Sequence, residues 1–210
     1  MPAIHDAQRA PETAAKPGIT DKSAELPLVL DLDGALIRTD ILFETFIAFV
    51  RQNPLRLFQV AAWVLRGRAI LKQKLAEKAV LDVESLPATE DLVSFAAREA
   101  AMGRKVHLAT ATDSLVAHRI KKRFPFISRV FASDGATNLK AKAKAAVLLD
   151  AFPDGFAYAG DSRADVPVWK AAQDSLVVNP TPGVLRAARA VREPVEVFAR
   201  PKAGFKFAAK

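Results

Sequence analysis

Three short apolar segments each end abruptly in acidic or hydroxyl-bearing residues, and no other feature constrains the fold as strongly. The segments, with the residues that follow them, are Leu28-Val29-Leu30 before Asp31-Leu32-Asp33-Gly34, Lys105 to Ala109 before Thr110, and Phe156 to Ala159 before Gly160-Asp161. Apolar runs of this length are typical of strands buried in a parallel sheet. The carboxyl ends of such strands line the crevice in which open α/β sheets bind ligands. The pattern therefore predicts an α/β protein with a Rossmann-like parallel sheet and a ligand site at one edge of it.

Asp31 and Asp33 carry most of the chemical information. Two carboxylates at the end of a buried strand are each partly desolvated beside a like charge, which is unfavourable unless a bound group compensates. A hard divalent cation with oxygen ligands compensates well, and Mg²⁺ is the usual one beside phosphate. Asp161 and Asp165 follow the third apolar segment and supply two further acids for the same metal shell. Taken alone, Asp-x-Asp also fits a solvated turn or a helix cap.

Hydroxyl and ammonium groups follow in the order that a phosphate site needs. Thr110 ends the second segment, and its hydroxyl, with the backbone N–H groups that begin at Ala111, is predicted to donate to a phosphate oxygen. Lys140, Lys142 and Lys144 open an alanine-rich helix, and one of them is expected to place an ammonium on the phosphate or on the nucleophile. A solvated helix face is the alternative interpretation of such a lysine run.

In this order, the segments resemble the four motifs of the haloacid dehalogenase (HAD) superfamily of phosphohydrolases. The matching segments are Asp31 to Leu36 for Asp-x-Asp-x-Thr/Val, Val106 to Thr110 for the strand closed by Ser or Thr, Lys144 for the helix-opening lysine (with Lys140 as the alternative), and Gly160 to Asp165 for Gly-Asp-x-x-x-Asp. The resemblance covers about Leu28 to Pro180 and implies a HAD-like fold. One departure is plain, because Ala35 stands where the family commonly has Thr.

The resemblance also implies the roles of individual residues. Asp31 is expected to be the nucleophile that forms an aspartyl-phosphate, and Asp33 the general acid and base. Thr110 and Lys144 are expected to stabilise charge on the transferred phosphoryl oxygens. Within the superfamily, an acid two residues after the nucleophile favours phosphatases and mutases. The resemblance therefore predicts a phosphoric monoester hydrolase.

The same resemblance implies a Mg²⁺ site and a contact for the substrate. Asp31, Asp161 and the backbone carbonyl of Asp33 are expected to bind the ion, with Asp165 supporting that shell or holding Lys144. Arg163 lies in the acidic loop, and it is expected to point toward a substrate anion, as are Thr110, Ala111 and Lys140.

Residues 41–84 are predicted to form a helical insertion, which corresponds to the small cap that the superfamily often carries after the first strand. The insertion is apolar on one side and basic on others, a pattern that suits a substrate with an anionic head and an apolar tail, or a membrane surface. Its apolar stripes also fit simple packing on the core. The predicted division is a disordered leader at 1–25, a catalytic core at 26–40 and 85–195, the cap at 41–84 and a basic tail at 196–210.

Composition narrows the class of protein further. At 210 residues, half of them hydrophobic, the chain can bury one sizeable core. The absence of cysteine excludes disulfides and thiolate metal sites and fits a reducing cytosol.

No uncharged apolar run approaches the roughly 20 residues that span a bilayer. A net charge of +8 favours anionic partners, and no nucleic-acid-binding motif accompanies it. The expected location is the cytoplasm, including the inner face of the membrane.

A narrower resemblance concerns the soluble HAD domain that often precedes the membrane domain of UbiA-type prenyltransferases. The segments that carry it are Asp31 to Asp40, Ser133 to Lys140 and Tyr158 to Trp169. It implies a polyprenyl-linked or sugar phosphate as substrate, or contact with a membrane enzyme. Two other functions stay open at this point: a non-catalytic docking or regulatory module, and a phosphotransferase or mutase that passes the phosphoryl group to an acceptor other than water.

Overall fold

A computed structural model describes residues 26–134 and 137–200. The predicted leader at 1–25, Gly135-Ala136, and residues 201–210 of the predicted tail lie outside the described residues. The strands are β1 (Leu28–Leu30), β2 (Val106–Asp113), β3 (Ile127–Ser133), β4 (Ala157–Gly160), β5 (Asp174–Val178) and β6 (Glu196–Phe198). The helices are α1 (Ile41–Gln52), α2 (Leu57–Leu65), α3 (Arg68–Lys78), α4 (Glu90–Ala101), α5 (Ser114–Arg123), α6 (Lys142–Ala151), α7 (Val166–Ala171) and α8 (Pro182–Arg189).

The six strands form one sheet in the order β3-β2-β1-β4-β5-β6, and every pairing in it is parallel. β1 is central, with Leu28 opposite Val106 of β2 on one side and opposite Ala157 of β4 on the other. All three residues of β1 are fully buried, which explains why this strand reads as a continuous apolar run. The predicted Rossmann-like α/β fold is therefore confirmed.

The core lies on both faces of the sheet, because successive side chains of a strand point to opposite sides. Leu28 and Leu30 pack in a cluster that includes residues of α4 and α5. Val29 faces the other way, into a cluster that includes Tyr158 of β4 and Trp169 of α7. The result is an α/β/α sandwich in which the carboxyl ends of β1, β2 and β4 meet at one edge.

Helices α1 to α3 follow β1 and form a small cap with its own core of Phe49, Val60, Leu75 and Ala79. A 3₁₀ turn at Pro54–Arg56 separates α1 from α2. Gly67, with φ of 106°, separates α2 from α3. Within 26–134 and 137–200, none of the helices combines the length and the apolar character needed to cross a bilayer.

The start of the predicted basic tail is corrected by the structure. Residues 196–198 form strand β6, in which Val197 pairs with Val177 of β5 and Phe198 packs its ring 5.4 Å from that of Phe95. The core therefore extends to Phe198 rather than ending at residue 195. A three-residue edge strand that begins with Glu196 has too short an apolar pattern to be recognised in the sequence.

Candidate active site

A cleft of about 300 Å³ opens at the sheet edge where β1, β2 and β4 end, between the core and the cap. Acidic and basic side chains dominate its lining. From the core these are Asp31, Asp33, Lys140, Lys144, Asp161 and Asp165, and from the cap and the loop before it Asp40, Arg68 and Lys72. The structure thus brings together the residues that follow three separate strands, as expected from their positions in a parallel sheet.

Asp31 and Lys144 form a buried ion pair in which Lys144 Nζ lies 2.5 Å from Asp31 Oδ1. Burial raises the pKa of Asp31 to about 8, the nearby Asp165 and Asp33 carboxylates act in the same direction, and Lys144 opposes them. Burial lowers the pKa of Lys144, but the facing Asp31 and Asp165 outweigh it, so the net pKa of Lys144 is raised and the ammonium keeps its charge. Of the two lysines that the sequence left open, Lys144 contacts the expected nucleophile, whereas Lys140 lies on the cleft lining.

Asp33 is held by donors on both oxygens. Its Oδ1 accepts from the backbone N–H of Ile41 at 2.7 Å, at the first residue of α1. Its Oδ2 accepts from the hydroxyls of Thr112 at 2.9 Å and Thr110 at 3.2 Å. Burial raises the pKa of Asp33, although the hydrogen bonds from Ile41 and Thr112 act against it. A carboxyl group with a raised pKa retains its proton more readily, which suits a general acid.

The position of Thr110 differs from the expectation that it donates to phosphate. Its side chain is fully buried, its hydroxyl donates to Asp33, and its Oγ1 accepts from the N–H of Thr112. Thr112, two residues later on β2, lines the cleft. Sequence reasoning missed Thr112, although the alternation of side chains along a strand places it on the same face as Thr110.

Three carboxylates converge at the end of the cleft. One oxygen each of Asp31, Asp161 and Asp165 lies within 4.8 Å of the other two. Burial raises the pKa of Asp161 to about 7, and the Asp165 carboxylate adds to this. Hard oxygen donors crowded at this distance fit Mg²⁺, because a divalent cation would relieve both the burial and the repulsion. The Asp33 side chain lies outside this group and is used by its own donors, which leaves its backbone carbonyl as the ligand that the resemblance implies.

Asp165 is fixed mainly by protein donors. Its Oδ2 accepts from the N–H groups of Asp161 and Ser162 at 3.2 and 3.0 Å, and from the Ser162 hydroxyl at 3.0 Å. Its Oδ1 accepts from the hydroxyl of Tyr158 at 2.8 Å. These contacts shape the loop that carries Asp161, and the one with Tyr158 also connects Asp165 to Lys144, so both roles expected for Asp165 stay predictions.

Tyr158 is a site residue that sequence reasoning missed. Its hydroxyl donates to Asp165 and accepts from Lys144 Nζ at 2.9 Å, so it links the lysine to the acidic loop. Burial, followed by the Asp165 charge, raises its pKa well above the usual value, so the phenol stays neutral. Tyr158 is the one tyrosine of the sequence, and its position in the apolar segment just before Gly160 to Asp165 could have indicated that it lies at the site.

The loop after β1 is stabilised although Ala35 replaces the common Thr. The hydroxyl of Thr89 donates to the Ala35 carbonyl at 2.6 Å, and Asn179 Nδ2 lies 3.2 Å from the Gly34 carbonyl. Gly34 itself has φ of 82°, and a Cβ there would lie 2.0 Å from Asp161 Oδ2. Only glycine therefore allows the acidic loop to approach this closely.

The remaining expected contacts divide into two groups. Ala111 and Lys140 line the cleft, as expected for substrate-binding residues. Arg163 is exposed and does not line it, and its Nη2 would lie 3.3 Å from a Cβ placed at Gly183 in α8. Arg163 belongs to the 3₁₀ turn at 163–165, outside the residues that line the cleft, and its expected contact with a substrate anion stays a prediction.

The cap contributes a cation that sequence reasoning did not place in the site. Lys72 of α3 donates from Nζ to the Ala111 carbonyl at 2.7 Å and to Asn138 Oδ1 at 3.2 Å. Burial lowers the pKa of Lys72, and the charges of Lys140 and Arg68 lower it further, while that of Asp33 raises it. These two contacts join the cap to the core across the cleft.

Comparison with known proteins places the fold. No family model matches the chain. The uncharacterized protein y4nM of Sinorhizobium fredii is 36% identical over 154 residues, which is 73% of this chain and 30% of that protein. The chain thus spans less than a third of the length of this relative.

Solved structures give the same fold. A protein of unknown function from Bordetella pertussis superposes with a TM-score of 0.62 at 20% identity, covering 82% of this chain and 97% of its own. The HAD family hydrolase T0658 of Salmonella enterica serovar Typhi gives 0.57 at 14% identity, with 82% and 68% covered. A phosphoserine phosphatase solved as a phospho-aspartyl intermediate analogue gives 0.56 at 16% identity, with 83% and 93% covered. The chain therefore has the fold of HAD-family phosphatases.

Proposed function

We propose that the protein is a Mg²⁺-dependent phosphatase that hydrolyses a phosphate monoester through an aspartyl-phosphate on Asp31. The observation that carries the proposal is the buried contact of Asp31 with Lys144, at 2.5 Å, beside the acids of the Asp161 loop. The fold shared with a phosphoserine phosphatase that was solved as a phospho-aspartyl intermediate analogue supports it.

In the first step, an Asp31 carboxylate oxygen attacks phosphorus and forms a P–O bond, while the bond from phosphorus to the ester oxygen breaks. Asp33 gives its proton to the leaving oxygen, which departs as an alcohol. The raised pKa of Asp33 favours the protonated form that this step needs. The Lys144 ammonium stabilises charge on the phosphoryl oxygens near Asp31.

In the second step, water attacks phosphorus, the bond from phosphorus to Asp31 breaks, and inorganic phosphate leaves. Asp33, now deprotonated, takes the proton of that water and is ready for another cycle. Asp31, Asp161 and the backbone carbonyl of Asp33 would hold Mg²⁺, which when bound neutralises negative charge on the phosphate and on the carboxylates.

Basic residues at the mouth of the cleft favour an anion-rich substrate. Arg68 and Lys72 from the cap and Lys140 from the core line the cleft beyond the Asp31–Lys144 pair. A phosphorylated small molecule fits this lining, and the narrower resemblance to UbiA-associated domains favours a polyprenyl-linked or sugar phosphate. We place the activity in the cytoplasm.

Two alternatives are distinguished by the products of the reaction. A non-catalytic docking module would bind Mg²⁺ without turnover, and a phosphotransferase would form a new ester with an added alcohol. The ordered contacts of Asp31, Asp33 and Lys144 favour catalysis over docking.

The proposal is tested by measuring phosphate release from an aryl phosphate and from a panel of sugar and prenyl phosphates, with Mg²⁺ and with EDTA. The expected result is metal-dependent release that Asp31→Asn lowers at least about 10³-fold. Asp150→Asn changes an exposed acid on α6 and serves as the matched control, with activity expected to stay within about twofold of wild type. Undiminished release by Asp31→Asn would contradict the proposed nucleophile.

A further inference from the structure

Helix α2 and the 3₁₀ turn before it leave large apolar side chains in solvent. The exposed fractions are 70% for Leu55, 53% for Leu57, 76% for Phe58, 55% for Val64 and 89% for Leu65, and we call these five residues the apolar cap face. Soluble proteins rarely expose so many large apolar side chains on one short segment unless the surface binds something.

The helix packs on the cap through its opposite side. Val60 is buried in the small cap core, and Trp63 packs its ring 5.2 Å from that of Phe49. These contacts hold α2 in place while the apolar cap face points outward. Its exposure is therefore a property of a packed helix and not of a frayed one.

The segment of sequence that carries the apolar cap face contains basic residues and no acids. The sequence contains no Asp or Glu between Glu44 and Glu77. The basic residues in this stretch are Arg51, Arg56, Arg66, Arg68, Lys72 and Lys74. Arg66 directly follows α2 and Arg51 lies in the last turn of α1, and both are exposed. Arg56 directly precedes α2, and its guanidinium lies 4.9 Å from the centre of the Phe49 ring.

Exposed apolar side chains with arginines beside them favour a lipid membrane over a second copy of the chain as the partner of the apolar cap face. An apolar side flanked by arginines, without acids, is typical of helices that lie in the plane of a membrane interface. Neither Arg51 nor Arg66 forms an ion pair within residues 26–134 and 137–200, and anionic lipid headgroups would supply the missing countercharges. A second copy of the chain would instead bring the same uncompensated cations together. At nine residues, α2 is too short to cross the bilayer.

We propose that the apolar cap face docks on an anionic lipid bilayer, with α2 lying in the plane of the interface. Arg66 directly follows α2, and Arg68, the first residue of α3, lines the cleft. Docking therefore brings the mouth of the cleft close to the headgroup layer. The inference stands on the surface of the cap and does not depend on the proposed phosphatase activity.

The test measures co-flotation of the full chain with vesicles of phosphatidylcholine alone and of phosphatidylcholine mixed with phosphatidylglycerol, at low and high salt. Wild-type protein is expected to float with the anionic vesicles and to lose binding as salt rises. Phe58→Glu is expected to weaken binding about tenfold or more. Met102→Glu is the matched control. Met102 is 75% exposed, against 76% for Phe58, but it directly follows α4 and lies outside the cap.

Further variants separate the face from other sources of binding. Arg66→Gln is expected to weaken binding and to reduce its salt dependence, whereas Phe205→Glu, in the basic terminal segment, is expected to leave it unchanged. Phe58→Glu should hydrolyse a soluble aryl phosphate at the wild-type rate, so loss of docking and loss of catalysis are read separately.

Three results would overturn the inference. One is equal binding of wild type and Phe58→Glu to anionic vesicles. Another is the absence of any binding to these vesicles. The third is a wild-type dimer in solution that Phe58→Glu converts to a monomer, which would assign the face to contact between two copies of the chain.

Discussion

The partly buried Asp161 carboxylate suits a metal site, but its negative charge lowers the stability of the metal-free protein. Its carboxylate lies with those of Asp31 and Asp165 in a group whose oxygens are within 4.8 Å of one another. Burial, with the Asp165 charge, raises its pKa to about 7, so in the absence of a cation the folded protein binds a proton there more tightly than the unfolded chain does. Metal-free stability should therefore fall as pH rises from the ordinary carboxyl range through 7.

Replacing Asp161 with Asn is expected to stabilise the metal-free protein by about 1 kcal/mol, because an uncharged amide removes the repulsion. The gain should be larger at about pH 8 than at about pH 5, where the native carboxyl already holds its proton. Urea unfolding at both pH values, with and without Mg²⁺, measures this. Asp161→Asn should also lose the stabilisation by Mg²⁺, and the exposed Asp154→Asn should keep it. A destabilised metal-free Asp161→Asn would contradict this account of the acidic group.

Thr89 acts on the loop after β1 through one hydroxyl. Its hydroxyl donates to the Ala35 carbonyl at 2.6 Å and accepts from Asn179 Nδ2 at 3.2 Å, and it makes no side-chain cap contact for α4. Thr89→Val is expected to lower the free energy of unfolding by about 1–3 kcal/mol, because it leaves a buried carbonyl without its donor. Phosphate release should fall as well.

The matched control for Thr89 is Ser175→Ala. Ser175 is also buried, but its hydroxyl has no partner among the described residues, so its removal should change stability little. Chemical denaturation of both variants decides the point. An equal loss of stability in the two would show that the Thr89 hydrogen bond is not what stabilises the loop.

The site residues that the sequence predicted lie at the ends of strands or helices, whereas those it missed depend on contacts with residues distant in the sequence. Asp31, Asp33 and Lys144 stand directly at strand or helix ends, where charge is conspicuous and the backbone fixes their position. Tyr158 and Lys72 act through partners 7 to 66 residues away, and only the packed fold shows which groups they reach. Such contacts leave no periodic signal in one sequence.

At the scale of elements, the start of α6 carries local backbone strain. Ala141 has φ of 49° and ψ of −111°, a combination that glycine adopts far more readily than residues with a Cβ. Three residues later, Lys144 contacts Asp31, so this turn sets the position of the lysine. The sequence predicted the helix but not the strain, because an alanine-rich run favours continuous helix.

Ala141→Gly is expected to stabilise the protein by about 1 kcal/mol, since relief of the strain exceeds the entropy that glycine adds to the unfolded chain. Ala146→Gly, at an exposed position inside α6, should have the opposite sign and cost about 1 kcal/mol. Thermal unfolding of the two variants in parallel measures the difference. Loss of stability in both would show that Ala141 is not strained.

At the scale of the whole molecule, the cap and the core form the site together. The first residue of α1 donates to Asp33, and Lys72 of α3 donates to the end of β2 through the Ala111 carbonyl. The apolar runs predicted strands that meet at one edge of a parallel sheet, and the structure has such a sheet. The sequence did not predict which cap residues reach the cleft, because the packing of three short helices depends on the shapes of their side chains rather than on periodicity.

The central claim is that Asp31 becomes phosphorylated. The most direct measurement is to mix the protein with Mg²⁺ and a reactive aryl phosphate, quench in acid within the first turnover, and map the added phosphate by mass spectrometry of peptides. The account predicts an acid-stable, base-labile phosphate on the peptide containing Asp31, absent from Asp31→Asn and retained by Asp150→Asn. A phosphate on another residue, or turnover by a wild-type protein that never carries one, would contradict it.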